Sequence, residues 1–138
     1  MLGKVHKGEI FMNELGQIVI RVWNSLPDHY PLVILDEFCV MPNHFHGIII
    51  LTRRGESETR PYKAAHQKRH GLPEIVRALK SFSSRNINQW RDSTGAPVWQ
   101  RNYYESIIRH ERQLNAIRQY IQENPINWEM DMDNPKYL

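Results

Sequence analysis

The chain has 138 residues, 41% of them hydrophobic and 24% charged, which is enough for one domain with a two-layer core and excludes a disordered chain. Its net charge of +3 is mildly basic, so it permits a nucleic-acid partner without requiring one. A single cysteine excludes an internal disulfide, and no apolar run has the length of a membrane span or the form of a signal peptide, so we expect a soluble, cytoplasmic protein without a membrane partner.

The first third of the chain is predicted to hold one helix and two strands. Gly8 to Met12 has the composition of a short strand, and Asn13 is typical of a helix N-cap. The helix that follows has apolar residues at spacings of three and four, and Pro27 is expected to end it. Those residues are Leu15, Ile18, Val19, Val22, Trp23 and Leu26. The Val- and Ile-rich runs Leu32 to Val40 and Phe45 to Leu51 are predicted to be antiparallel strands, because only a short connector joins them.

A basic segment and a second helix come next. Arg53 to Gly71 has little apolar periodicity and is predicted to be an exposed loop. From Pro73 to about Trp90 the spacing predicts a helix with an apolar inner face. The residues of that face are Ile75, Val76, Leu79, Phe82 and Ile87.

The last third is predicted to be an extended segment followed by a helix. Val98 to Ile108 is expected to be mostly extended, and a helix should cover roughly Glu111 to Asn124, where Pro125 stops it. The order helix, strand, strand, helix, strand, helix predicts one α+β domain over residues 1–138, with helices packed on an antiparallel sheet.

Two histidines alternate with a phenylalanine at the start of the second predicted strand. Residues two apart on a strand face the same side, so His44 and His46 project together and Phe45 points away. Two imidazoles placed in this way can chelate one divalent ion. On spacing alone, however, the pattern favours the ordinary interpretation of two partly exposed histidines at a strand start.

The third predicted helix offers a nucleophile and a further ligand. Tyr120 and Asn124 are four residues apart and therefore share one helix face, beside a stripe of buried residues. The stripe consists of Leu114, Ile117 and Ile121. A tyrosine at the edge of the core is the ordinary alternative for Tyr120. For Asn124, a C-cap before Pro125 explains the residue at least as well as a ligand role.

Three blocks in this order resemble the REP-associated tyrosine transposases, relatives of the single-tyrosine insertion-sequence transposases with an HUH strand. The first block is Met41-Pro42-Asn43-His44-Phe45-His46-Gly47-Ile48-Ile49. The second is Trp99-Gln100-Arg101-Asn102-Tyr103-Tyr104-Glu105 with Ile108-Arg109, and the third is Tyr120-Ile121-Gln122-Glu123-Asn124-Pro125. The resemblance extends from Gly8 to about Trp128, and three ordered blocks are far more specific than one histidine pair.

The resemblance implies a ferredoxin-like HUH fold and a DNA-nicking site. His44 and His46 would bind Mg²⁺ or Mn²⁺, Asn124 would be a third, amide-type ligand, and Tyr120 would be the nucleophile. Tyr103 and Tyr104 are rivals that we assign to packing or to stacking on DNA, since at most one of two neighbours in an extended segment faces the site. Family members usually have a further apolar strand before the segment that begins near Gly8, so the sheet is expected to lack an N-terminal strand.

The resemblance also implies a partner, namely single-stranded or hairpin DNA bound through basic grooves and aromatic stacking. The expected contacts are Arg53, Arg54, Lys63, Lys68, Arg69, Arg77, Lys80 and Arg85. A solvated loop and a polar helix face explain these residues equally well. The resemblance is compatible with either a monomer or a homodimer. It assigns no role to Glu105 or Arg109, although both match family positions.

Two rival functions stand beside the nicking enzyme. One is a catalytically weak or inactive hairpin-binding remnant of such an enzyme, which the missing strand favours and the presence of all four site residues opposes. The other is a metal- or RNA-binding α+β domain with an accidental motif match, which the three ordered blocks oppose.

Overall fold

The computed structural model describes residues 2–52, 71–99, 103, 105–131 and 134. In this part of the chain the elements alternate between small antiparallel sheets and helices, which confirms the predicted α+β class. They are β1 (Gly3–His6), β2 (Glu9–Met12), α1 (Glu14–His29), β3 (Val33–Val40), β4 (Phe45–Leu51), α2 (Leu72–Trp90), α3 (Glu111–Gln122) and a 3-10 helix (Trp128–Met130). No helix of the described residues is both long and apolar enough to span a membrane.

β1 and β2 form a hairpin, of which the sequence predicted only the second strand. The two residues between the strands, Lys7 and Gly8, have φ values of 50° and 76°. Positive φ at both loop residues is the type I′ geometry that matches the twist of paired strands. A Lys-Gly loop lacks the usual Asn or Asp, so it is a weak sequence signal for a hairpin. β1 pairs with β2, and the described part of the sheet that carries the histidines consists of β3 and β4.

α1 follows the predicted pattern at its start and core but not at its end. The side chain of Asn13 accepts a hydrogen bond from the backbone N–H of Gly16 at 3.1 Å, which confirms the N-cap. Pro27 does not end the helix, contrary to the prediction, because α1 continues to His29 and the N–H of Tyr30 still donates to the carbonyl of Leu26 at 2.8 Å. The proline removes a single backbone donor close to the end of the helix, where little helix remains to be lost.

The two faces of the β3–β4 sheet contribute to two separate cores. On one face, Phe38, Val40 and Phe45 pack into a cluster with α1 and α2. On the other face, Cys39 and Ile48 pack with α3 and the 3-10 helix. The order of layers is therefore α2, α1, sheet, α3, and any residue on β4 faces either α1 or α3.

Two other expectations need correction. Val76 is only partly buried and lines a surface groove, whereas Ile75, Leu79 and Ile87 are in the core as predicted. The described residues of the stretch from Val98 to Ile108 form no strand. The indole N–H of Trp99 donates to Ser83 Oγ at 2.8 Å, so this segment is attached to a helix side chain and not to a sheet edge.

Candidate active site

The histidine pair sits at the start of β4 and faces α3. β4 begins at Phe45, so His46 is in the strand and His44 immediately precedes it. The two imidazole centroids are 4.6 Å apart, with the ring planes at 84°. The ring of Phe45 points the other way, with its centroid 5.0 Å from that of Trp23 on α1. The strand alternation predicted from the sequence is therefore present.

Tyr120 meets the histidines from the opposite side of the cleft. Its ring centroid is 5.8 Å from that of His46, edge to face at 78°. Its side chain remains 55% exposed, so a large substrate can reach it. A single chain thus brings together the proposed nucleophile and one of the two histidines.

An ion pair holds α3 against the sheet. The guanidinium of Arg118 donates to both carboxylate oxygens of Asp36 on β3, at 2.7 and 2.6 Å. These hydrogen bonds hold the pKa of Asp36 below its ordinary value, against the opposing effect of partial burial. The two planar groups meet with the bidentate geometry that fixes orientation as well as distance. Arg118 precedes Tyr120 by two residues, so the ion pair also sets the position of the tyrosine.

One ring nitrogen of His44 has a hydrogen-bond partner, and the other has none. Nδ1 lies 2.8 Å from Oδ1 of Asn43. Because an amide oxygen only accepts hydrogen bonds, Nδ1 is the donor in this contact, and in the neutral form of the ring Nε2 is left as the acceptor. His44 Nε2 is buried and has no hydrogen-bond partner. A neutral imidazole that is protonated at Nδ1 can coordinate a metal through Nε2.

Asn124 has one capping hydrogen bond and one buried acceptor, which bear separately on the cap and ligand roles that the sequence left as alternatives. It lies just past the end of α3, not within the helix as predicted, and is 2% exposed. Its Nδ2 donates to the carbonyl of Tyr120 at 3.4 Å, which is a long capping hydrogen bond at the C-terminus of α3. Its Oδ1 is buried without a partner. The nitrogen therefore serves the helix end, and the oxygen is left as an acceptor.

Trp128 completes the site, and the sequence did not single it out. Its ring centroid is 6.1 Å from that of His44, and its side chain is buried. The buried Asn134 fixes this turn by donating from Nδ2 to the carbonyl of Trp128 at 2.9 Å. Tyr120 and Trp128 thus contact His46 and His44 respectively, and Asn124 lies between them in the chain. A tryptophan within an otherwise polar, acidic tail is the signal that could have drawn attention to this residue.

The donor atoms fit a divalent cation. Buried acceptors without a donor are costly, and His44 Nε2 and Asn124 Oδ1 are both of this kind and are both atom types that coordinate divalent cations. With His46 beside them, the set consists of two imidazoles and an amide oxygen. Among the described residues, no three His, Cys, Asp or Glu side chains are grouped so that they could hold a metal ion, and the candidate set differs from such a group in having an amide as its third donor.

Comparisons with known proteins point to one family. Residues 64–124, which include Tyr120 and Asn124, match the family model described as "Transposase IS200 like". An uncharacterised protein of Haemophilus influenzae is 34% identical over 136 residues, covering 95% of this chain and 76% of the relative. The chain belongs to the IS200-like transposase family. A second Haemophilus influenzae protein, with the provisional name REP-associated tyrosine transposase, is 25% identical over 99 residues, which are 72% of this chain and 52% of that relative. No solved structure matches the chain.

Most of the expected DNA contacts of this IS200-like transposase cannot be placed. Arg53, Arg54, Lys63, Lys68 and Arg69 lie outside the described residues, so their assignment stays a prediction.

The three basic residues on α2 differ from one another. Arg77 and Lys80 line a groove on the outer face of the helix. The guanidinium of Arg85 instead lies over the ring of Phe82, with its carbon 5.8 Å from the ring centroid.

The other two candidate tyrosines, Tyr103 and Tyr104, and the unassigned Glu105 and Arg109 were not placed at the histidine pair by the sequence, and those that the structure describes do not contact it. Tyr103 is beside α2, under the ammonium of Lys80, on the α1 side of the sheet, whereas Tyr120 is at His46. Tyr104 is outside the described residues. Glu105 and Arg109 are exposed, and the backbone N–H of Arg109 donates to the side chain of Gln113 at 3.0 Å, which gives neither side chain a role in the site.

Proposed function

We propose that this transposase nicks and rejoins single-stranded or hairpin DNA, with Tyr120 as the nucleophile and with Mg²⁺ or Mn²⁺ held by His44, His46 and Asn124. The observation that carries the proposal is the approach of Tyr120 to His46 within one chain, at 5.8 Å between ring centroids. Family membership supports transposition of DNA as the general function. The two buried acceptors on His44 and Asn124 support the metal.

Tyr120 performs the chemical step. Its oxygen forms a bond to the scissile phosphorus, and the bond from phosphorus to the 3′-oxygen of the preceding sugar breaks. The phenolic proton is released, and the departing 3′-oxygen takes up a proton, so the products are a 5′-phosphotyrosine and a free 3′-OH. The half-exposed position of Tyr120 leaves the room that a DNA strand needs.

The covalent link is suited to reversal. A phenol, with an ordinary pKa of about 10, is a better leaving group than a sugar hydroxyl. An incoming 3′-OH can therefore displace Tyr120 and join a new strand, because the energy of the original phosphodiester is conserved in the intermediate. The same residue serves both nicking and joining, and no nucleotide cofactor is needed.

His44, His46 and Asn124 would hold the cation, and their neighbours set their orientation. Asn43 fixes the tautomer of His44, Trp128 packs against its ring, and the Tyr120 carbonyl fixes the amide of Asn124. When bound, the cation would polarise the scissile phosphate and offset the charge that develops on its oxygens. Because Tyr120 and His46 meet within one chain, these two residues need no second copy, and monomer and homodimer both remain compatible with the proposal.

A covalent-adduct assay tests the proposal. The protein is incubated with a labelled hairpin oligonucleotide and Mn²⁺, and the products are separated under denaturing conditions. We expect a shifted band that disappears in Tyr120→Phe and persists in Tyr103→Phe. Tyr103→Phe is the matched control, because it also removes one phenolic hydroxyl but on the other side of the sheet. Binding of the hairpin with no adduct from the wild type would instead assign the chain to the inactive hairpin-binding remnants. An adduct that survives Tyr120→Phe would overturn the assignment of the nucleophile.

A further inference from the structure

A groove of about 550 Å³ runs along the outer face of α2, away from the candidate active site. One wall is the helix itself, through residues spaced three or four apart: Pro73, Val76, Arg77, Lys80, Ser81 and Ser84. The other wall is the segment from Ala96 to Trp99, together with Tyr103. The volume is within the range of pockets that bind small ligands or parts of larger ones.

The outer wall is held in place by side chains of α2 and of its C-terminal end. Asn88 Nδ2 and Arg91 Nη2 donate to the carbonyl of Ala96, at 2.9 and 3.3 Å. The indole N–H of Trp99 donates to Ser83 at 2.8 Å. Because these bonds fix the wall to the helix, the groove exists before any ligand arrives, and a ligand does not have to order it.

The lining chemistry matches a nucleic-acid strand. Arg77 and Lys80 supply positive charge, and none of the described residues that line the groove is a carboxylate. Tyr103 is 38% exposed, and Lys80 Nζ lies 5.7 Å from the centroid of its ring. A partly exposed aromatic ring beside a cation gives a base a surface to stack on and gives the adjoining phosphate a counter-charge. The hydroxyls of Ser81 and Ser84 add donors for phosphate oxygens.

The groove is on the far side of the molecule from Tyr120. α2 packs on α1, and Trp23 of α1 contacts Phe45, whose side chain points away from the histidine face of β4. A strand bound along α2 is therefore separated from the reacting phosphate by α1 and the sheet. Only DNA that wraps around the domain, or a separate stretch of the same substrate, reaches both places.

We propose that this groove binds an unpaired stretch of the DNA substrate, with one base stacked on Tyr103 and the neighbouring phosphates held by Arg77 and Lys80. The proposal rests on the proposed function for the identity of the ligand. From the sequence, Arg77, Lys80 and Arg85 were all expected to contact DNA. The proposal keeps this role for Arg77 and Lys80 but not for Arg85, because Arg85 lies over Phe82 and does not line the groove. The groove supplies affinity for the strand, and the cleft at Tyr120 supplies the chemistry.

The test measures DNA affinity without chemistry. Fluorescence anisotropy is recorded in EDTA, in a Tyr120→Phe background, with a hairpin that has an unpaired extension and with the same hairpin blunt-ended. Tyr103→Ala should weaken binding of the extended hairpin about tenfold (about 1.4 kcal/mol), and Tyr103→Phe should restore it. Lys80→Ala should also weaken binding and should lower the salt dependence by about one counterion. The affinity for the blunt hairpin should change by less than twofold in each of these variants.

Arg85→Ala is the matched control, because it removes a positive charge from the same helix outside the groove. Equal losses in Lys80→Ala and Arg85→Ala, or unchanged affinity in Tyr103→Ala, would overturn the proposal. Unchanged DNA affinity with an altered molecular mass in light scattering would assign the groove to a second copy of the chain instead. Failure of the proposed nicking is a separate result, since it is seen as the absence of a covalent adduct with Mn²⁺ while the metal-free affinities still report on the groove.

Discussion

Arg118 on α3 holds Asp36 on β3 through two hydrogen bonds, and this pair links the helix that carries Tyr120 to the sheet that carries His46. The two residues are far apart in the sequence and of opposite charge, and their planar groups meet edge to edge. The geometry of the candidate active site therefore depends on a contact that contains none of its proposed catalytic or metal-binding residues. That dependence leads to the first prediction.

Arg118→Ala should lower both stability and adduct formation. Loss of the pair leaves the mostly buried carboxylate of Asp36 without its charged donor and releases α3 from β3, so Tyr120 moves relative to His46. We expect Tm to fall by a few degrees. We expect the yield of covalent adduct to fall as well, even at temperatures at which the variant is fully folded. Arg112→Ala, an exposed arginine on the same helix, is the control and should change neither quantity. Wild-type adduct yield in Arg118→Ala would contradict the positioning role.

The same pair gives a pH dependence with a defined sign. Arg118 holds the pKa of Asp36 below its ordinary value of 3.8, so the pair's contribution is fully present above that value. The contribution is lost as the pH falls through the lowered pKa of the folded protein. The difference in unfolding free energy between wild type and Arg118→Ala should thus be constant well above pH 3.8 and should shrink as the pH falls below that value. A difference that grows on acidification would contradict this assignment.

Mn²⁺ should stabilise the protein through His44 and Asn124. A ligand at one hundred times its Kd contributes about 2.7 kcal/mol, which corresponds to a rise of about 5 °C or more in Tm for a domain of this size. Asn124→Ala and His44→Ala should each reduce this rise. Without metal, Asn124→Ala should be close to the wild type in stability, because it removes an unpaired buried acceptor and one long hydrogen bond. His6→Ala, an exposed histidine on β1, is the control, and an undiminished shift in Asn124→Ala would exclude the amide as a ligand.

Asn43 should tune the metal affinity without contacting the metal. Its Oδ1 accepts from His44 Nδ1 at 2.8 Å and so favours the tautomer of the neutral ring in which Nε2 is the acceptor. Partners of this kind typically change metal affinity by about 10- to 100-fold when removed. We expect Asn43→Ala to weaken Mn²⁺ binding in calorimetry to that extent, and Asn43→Asp to restore it, because a carboxylate accepts the same hydrogen bond. Equal affinities in the two variants would show that the tautomer is set by something else.

The sequence predicted those features that depend on local periodicity. The core face of α1, including Val19, Trp23 and Leu26, follows from spacings of three and four, because burial of one helix face requires that period. The common direction of His44 and His46 follows from strand alternation in the same way. The resemblance to known transposases then supplied the role proposed for Tyr120, which periodicity alone does not give.

The features that were missed depend on contacts between distant parts of the chain. The position of Trp128 against His44 depends on the path of the chain after α3, and no local pattern encodes that path. The supposed strand after Val98 is instead a segment attached to α2, because Trp99 finds its partner in Ser83. The helix end at Pro27 was misplaced because a proline two residues before the end of a helix removes one backbone donor where little helix remains to be lost.

Cys39 should be unreactive in the folded protein. Burial raises the pKa of its thiol to about 11, and Sγ lies 3.5 Å from the sulfur of Met41. The thiolate is the reactive form, so at about pH 8 almost none is present in the folded state. A thiol reagent at that pH should label the native protein far more slowly than the protein in urea. Equal rates would show that this side of the sheet opens readily, and would contradict the tight packing of the core beneath α3.

Gly47→Ala should disturb the site from the opposite face of β4. A Cβ at Gly47 would lie 2.6 Å from Cη2 of Trp23, which is 2% exposed, and 2.9 Å from Cε1 of Phe45. Neither ring can move freely, so the strand has to shift and to carry His46 with it. Overpacking of this kind costs about 1–3 kcal/mol. We therefore expect a lower unfolding free energy in denaturant titration and a weaker response of Tm to Mn²⁺.

Gly71→Ala is the control for this substitution, because a Cβ there would only reach Cδ of Pro73 at an ordinary 3.6 Å. A double-mutant cycle isolates the cause, since in a Trp23→Phe background the smaller ring leaves room and the added cost of Gly47→Ala should fall. An unchanged cost in that background would place the strain elsewhere. If the cost does fall and the Mn²⁺ response returns with it, the packing of Trp23 against Gly47 is what holds the histidine face of β4 towards α3.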